Sequence, residues 1–164
     1  MSQEEKQLLL KDLCARLPHK LHCCVFKLNG DIKENDDILY GVIGDSVVTL
    51  KSNKDECLMY YQIKPYLRPM SSMTDKEIAD AIKYIYNTDK VIYTSNGDDG
   101  FGFYAEMENG TRIRFNEIEF KLGYYGPKGI DWLNKYHFDY RGLIPMGLAL
   151  PTTKGIYKIE PTSI

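Results

Sequence analysis

The sequence predicts an α+β fold, an antiparallel sheet or small barrel-like meander with three short helices. Two observations carry this expectation. The helix-start signature S/T-x-x-E occurs twice, each time ahead of apolar residues at helical spacing. Between and after these stand short runs rich in Val, Ile, Tyr and Phe, punctuated by Asn-Gly and similar turn dipeptides. Four such runs close together in sequence point to antiparallel pairing.

The first helix is expected over residues 3–17. Ser2-Gln3-Glu4-Glu5 forms the capping box, Leu9, Leu10, Leu13 and Leu17 supply the apolar face, and Pro18 ends it. Residues 21–28, LHCCVFKL, read as a strand entering the Asn29-Gly30 turn, and further strands are expected at 38–44, 46–52 and 57–63. Residues 64–73, KPYLRPMSSM, hold two prolines and two serines and predict an irregular connector pinned by Tyr66, Leu67 and Met70. Thr74-Asp75-Lys76-Glu77 is the second capping box and opens a helix over 75–87 with Ile78, Ile82 and Ile85 on its apolar stripe. KVIYTSN, then GFGFYAEME and TRIRFNEIEF joined by Asn109-Gly110, are expected to resume the sheet. Gly126-Pro127 opens a third helix over 127–137, with Ile130, Leu133 and Tyr136 or His137 facing inward, and the tail adds a short edge strand at 156–159.

At 164 residues the chain is expected to form a single domain, 1–164, with a possible sub-division near 70–74. Its 43% hydrophobic and 27% charged residues place it with folded globular proteins rather than disordered ones. No run approaches the roughly 18 consecutive apolar residues of a membrane helix, and the acidic start lacks the pattern of a secretory signal, so a cytoplasmic protein is expected. A net charge of −2 disfavours tight non-specific binding to nucleic acid, which needs many phosphate contacts. A nucleic-acid-binding regulator would require a one-sided cluster such as Lys11, Arg16 and Lys20, or Lys64 and Arg68. Cys14, Cys23, Cys24 and Cys57 are too few for a disulfide framework, and mostly buried, reduced thiols are expected.

Three stretches invite a chemical reading. His19, His22, Cys23 and Cys24 are metal-ligand types, but adjacent strand residues point to opposite faces, so no closed set forms and no metal or other cofactor is expected. Residues 95–102, SNGDDGFG, match neither a nucleotide loop, which needs a following helix, nor a calcium loop, which needs a closing Glu. His137, Asp139 and Arg141 could serve as acid–base group, orienting partner and anion clamp of a small enzyme. The competing expectation is that Asp139 and Arg141 lock the turn after the third helix, since residues two apart on a helix point apart. Tyrosine is the one compositional excess, at 13, and Tyr61, Tyr66, Tyr124 and Tyr125, with Arg68, are the candidate binding residues.

The blocks LLLKDLCARLPHKLHC, IKPYLRPMSSMT and DWLNKYHFDYRGLIPMGLAL together cover about fifty residues. In that order the chain resembles a family of small uncharacterised proteins from gut Bacteroides-type bacteria and their phages or mobile elements. It departs from many of them at Tyr136, where they carry His, which argues against a paired-His ligand set. The resemblance implies an accessory protein of phage or mobile-element type and carries no activity. The function expected is therefore a non-enzymatic protein-interaction module binding a host or phage protein, with the nucleic-acid regulator and the small enzyme as alternatives.

Overall fold

The computed structural model describes residues 1–51, 58–94, 102–106, 109–110, 112–115, 126–152 and 156–157. Cys57, most of the 95–102 loop, Tyr124 and Tyr125 lie outside them. The fold is α+β, with three α-helices, α1 (Gln3–Arg16), α2 (Asp75–Tyr86) and α3 (Gly126–Lys135). The expectation of one domain with a sub-division near 70–74 meets a chain arranged in two compact units, Met1–Arg68 with Arg141–Ile164, and Pro69–Tyr140.

The first unit holds α1 and a six-stranded sheet built from β1 (His22–Phe26), β2 (Ile32–Ile43), β3 (Ser46–Thr49), β4 (Leu58–Met59), β5 (Ile63–Leu67) and β9 (Leu150–Pro151). Their order is β4-β3-β2-β1-β5-β9, antiparallel except for the parallel β5–β9 pair. The sheet is open. Its two edge strands, β4 and β9, are two residues each and stand at opposite ends of the order, so the barrel-like meander does not close. Leu9 and Leu13 of α1 pack with Leu21, Val25, Leu39 and Val47, and Leu143 and Ala149 of the returning chain complete this core.

The strand pairing corrects three expectations. The connector at 64–73 begins as strand: Ile63–Leu67 pairs with β1 on one side, with Pro65 opposite Cys23. Proline is tolerated because β9 pairs only with Tyr66 and Leu67, so Pro65 flanks that ladder instead of interrupting it. The strand expected at 57–63 ends early, because Tyr60–Gln62 turn as a 3-10 segment between β4 and β5. Finally, β2 starts at Ile32 and runs through the polar IKENDD, which alternation did not mark. Two register shifts against β1 absorb its extra residues. Asp37, fully buried there, accepts from the backbone N–H groups of Ile38 and Lys51, both at 2.8 Å.

The second unit contains α2, α3 and a separate three-stranded antiparallel sheet, β6 (Val91–Thr94), β7 (Gly102–Glu106) and β8 (Arg112–Phe115). The strands expected to resume the first sheet thus form their own. Both capping boxes exist: Glu5 N–H donates to Ser2 Oγ at 3.1 Å, and Glu77 N–H to Thr74 Oγ1 at 3.3 Å. Ile78, Ile82, Trp132, Leu133 and Phe138 form the core, with Ile85 at its margin. Leu133 is buried as expected, whereas Ile130, also expected inside, is exposed, and Trp132 joins Leu133 on the inner face of α3. Of the expected edge strand at 156–159, Ile156 and Tyr157 are described and form a bend.

Candidate functional site

A groove opens where the end of β1 and the turn after it meet the 3-10 segment ahead of β5. β1 leaves the sheet at Phe26, and the chain reverses as Gly30 N–H donates to Lys27 O at 2.9 Å and Lys27 N–H to Asp31 O at 2.7 Å. Gly30 sits at φ +90°, a conformation that side-chain-bearing residues rarely adopt, and Asn29 folds onto Asp31 at 2.7 Å. This tight turn leaves Leu28 81% exposed. Opposite, Met59 N–H donates to Gln62 Oε1 at 2.9 Å and Gln62 Nε2 reaches Phe26 O at 3.4 Å, tying the 3-10 turn to the end of β1. That tie presents Tyr61, 52% exposed and edge-on to Tyr60 at 5.4 Å.

The groove has a volume of about 330 Å³ and is lined by Phe26, Lys27, Leu28, Gly30, Tyr61, Gln62 and Lys64. Lys64 Nζ stands 5.9 Å from the centre of the Phe26 ring. Two cations and no carboxylate occur among the described lining residues. The floor is therefore aromatic and aliphatic with a positive edge, the make-up of a surface that takes an apolar group beside an anion.

A second cluster runs along the same strands and is part-buried. Tyr157 donates to Tyr66 O at 2.8 Å and accepts from His22 N–H at 3.1 Å, while its ring meets that of His22 edge-on at 5.2 Å. His22 Nδ1 pairs with Asp36 Oδ1 at 2.6 Å. Tyr66 donates to Asn35 O at 2.8 Å. Burial pushes the Tyr66 phenol up to about 12, and raises Tyr157 and the Cys23 and Cys24 thiols as well. Raised thiols are poor nucleophiles, so these cysteines pack rather than react. Among the described residues no group of His, Cys, Asp or Glu is placed to hold a metal ion.

His137, Asp139 and Arg141 each have a structural setting of their own. His137 is the residue after the α3 cap, at φ +60°; its N–H donates to Asn134 O at 3.1 Å and the next, Phe138 N–H, to Leu133 O at 2.9 Å. This is the Schellman ending of a helix, and His is among the few side-chain-bearing residues enriched in that conformation. Asp139 is buried in the same unit. Arg141 belongs to the other unit, where its Nη1 donates to Asp12 Oδ1 at 2.8 Å. Asp12 and Arg16 are both fully buried and joined by a bidentate pair at 2.7 and 3.0 Å. Arg141 is thus engaged by a carboxylate of α1, and the hydrogen bonds that end α3 come from its backbone.

Of the binding candidates, Tyr61 lies in the groove, but Tyr66 is a core residue and Arg68 is buried. Tyr66 stands in a strand paired with β1 on one side and β9 on the other, and Arg68 follows directly after that strand. The basic clusters weighed from the sequence also lose members, since Arg16 and Arg68 are both buried, Arg16 against Asp12. Phe26, Lys27, Leu28 and Gln62 were not singled out as site residues. A signal existed: FKLNG places Leu28 directly before a turn dipeptide, where an apolar side chain has no core to enter. No family model matches the chain, and no curated protein or solved structure matches it.

Proposed function

We propose that the protein is a non-enzymatic interaction module that binds a host or phage protein through the groove between the β1 turn and Tyr61, as an accessory protein of phage or mobile-element type. The observation that carries this reading is the concave grouping of Phe26, Leu28 and Tyr61, two of them more than half exposed, on backbone fixed by the Gln62 and Lys27 hydrogen bonds. Exposed aromatic and aliphatic side chains on a rigid frame supply contact area at low ordering cost, which is what a binding hot spot requires. The structural uses of His137 and Arg141 support the same reading over the small enzyme.

The test is comparative. Immobilised wild-type protein is exposed to host lysate beside a Leu28→Ala/Tyr61→Ala variant whose melting temperature is first shown to be unchanged. A stoichiometric protein retained by the wild type and lost by the variant is expected. Equal retention by both, or none by either, refutes the groove as the contact surface.

A further inference from the structure

Resting on that reading of the groove, we infer that its occupant is an acidic peptide segment: a carboxylate side chain set against Lys27 and Lys64, with a neighbouring aromatic or aliphatic side chain on Phe26, Leu28 and Tyr61. The charge of the site points this way. Lys27 and Lys64 are the charged groups among its described lining residues, and both are cations. Lys6, Lys51 and Lys90 each have a carboxylate within 4 Å, and their charge is committed inside the protein. Asp31, next in sequence to Gly30, is not among the lining residues, and its side chain accepts from Asn29 at 2.7 Å.

The size of the site separates a peptide from a nucleic acid. At about 330 Å³ the groove is at the lower end of the range for ligand pockets and suits one or two side chains. A strand of nucleic acid needs a basic track over several nucleotides. Arg16 and Arg68, two cations that such a track could have used, are buried. The turn also stays open to an extended chain: a Cβ built on Gly30 would meet nothing within 4 Å, so a peptide backbone can pass beside it.

The experiment pans a random twelve-residue peptide display library on the intact protein, then measures selected synthetic peptides by fluorescence anisotropy at low salt and again at about twice physiological ionic strength. Peptides with Asp or Glu next to Phe, Tyr, Trp or Leu are expected. Lys27→Glu and Lys64→Glu should each weaken their binding about tenfold, the scale of one charged hydrogen bond. Leu28→Ala/Tyr61→Ala should abolish it, and added salt should weaken it. Neutral or basic apolar peptides that still require Leu28 and Tyr61 would overturn the acidic assignment and leave the interaction groove standing. Peptides indifferent to all four residues, or no selected peptides, would overturn the inference, and the lysate comparison then decides the broader reading separately. Tight, salt-dependent binding of a labelled oligo(dT) or oligo(U) that is lost in Lys27→Glu would overturn it in favour of a nucleic acid.

Discussion

Asp12 holds two guanidinium groups, and the three side chains form an ion-pair network that is almost wholly withdrawn from water. Arg16 reaches it from one helical turn along α1 and Arg141 from a segment 129 residues away in sequence. Taking charges out of water is costly, so such a network is worth little relative to an apolar replacement and a great deal relative to its own broken form. Asp12→Ala leaves Arg16 buried with its bidentate partner removed, and is expected to cost about 3–5 kcal/mol in urea denaturation. A loss under about 1 kcal/mol would mean that water or another group takes over the role. The cysteines make a separate prediction. In a Cys57→Ser background, iodoacetamide at mildly alkaline pH should label Cys14, which is exposed, within minutes, and spare Cys23 and Cys24, whose thiols burial keeps protonated, until urea is added. Prompt labelling of Cys24 would contradict its burial within β1.

The helices owe their ends to local chemistry. Thr74 and Glu77 satisfy each other's backbone N–H groups at the start of α2, and Asn87, at φ +51°, closes it with its N–H on Lys83 O. Thr74→Ala should lower stability by about 1 kcal/mol, read from the thermal midpoint. Asn87→Gly should leave it unchanged or raise it slightly, because glycine adopts the left-handed conformation without a Cβ clash. A marked loss on Asn87→Gly would show that its side chain, not its backbone, holds the end. The strand pairing depends on contacts far apart in sequence. Tyr157 links the backbones of β1 and β5 through one hydroxyl, as acceptor from His22 and donor to Tyr66. Tyr157→Phe removes both bonds and keeps the ring, so the expected cost is about 1–3 kcal/mol, with hydrogen exchange quickened at His22.

For the molecule as a whole, alkaline pH is the condition that the buried phenols make informative. Tyr66 has its folded pKa pushed to about 12, above the ordinary tyrosine value of about 10. Below about pH 10 both folded and unfolded forms carry the proton and nothing is lost; between about 10 and 12 the unfolded chain ionises first and is favoured. The urea midpoint followed by circular dichroism should therefore fall between about pH 9 and pH 11, and fall less for Tyr66→Phe. An equal fall in both would assign the effect elsewhere. At this scale, too, the limits of the sequence are plain. Both capping boxes, the apolar stripe of α2, the Asn-Gly turns and the strand at β1 were legible because each depends on residues within a few positions of one another. β5 was not, since Pro65 argues locally against a strand and is accommodated only because β9 pairs with Tyr66 and Leu67 and leaves Pro65 outside that ladder. Nor was β9, two residues long, or the division of the strands into two sheets, because pairing partners leave no mark on the strand that receives them. The groove shares this origin. Its residues come from 26–30 and 61–64, each unremarkable alone, and they share one surface because the β1–β5 register sets Val25 opposite Ile63. Arg141 shows the same division most sharply: its charge and its place after α3 were written in the sequence, while its partner, Asp12, was chosen by the tertiary fold, because an ion pair depends on distance in space and periodicity reports only distance along the chain.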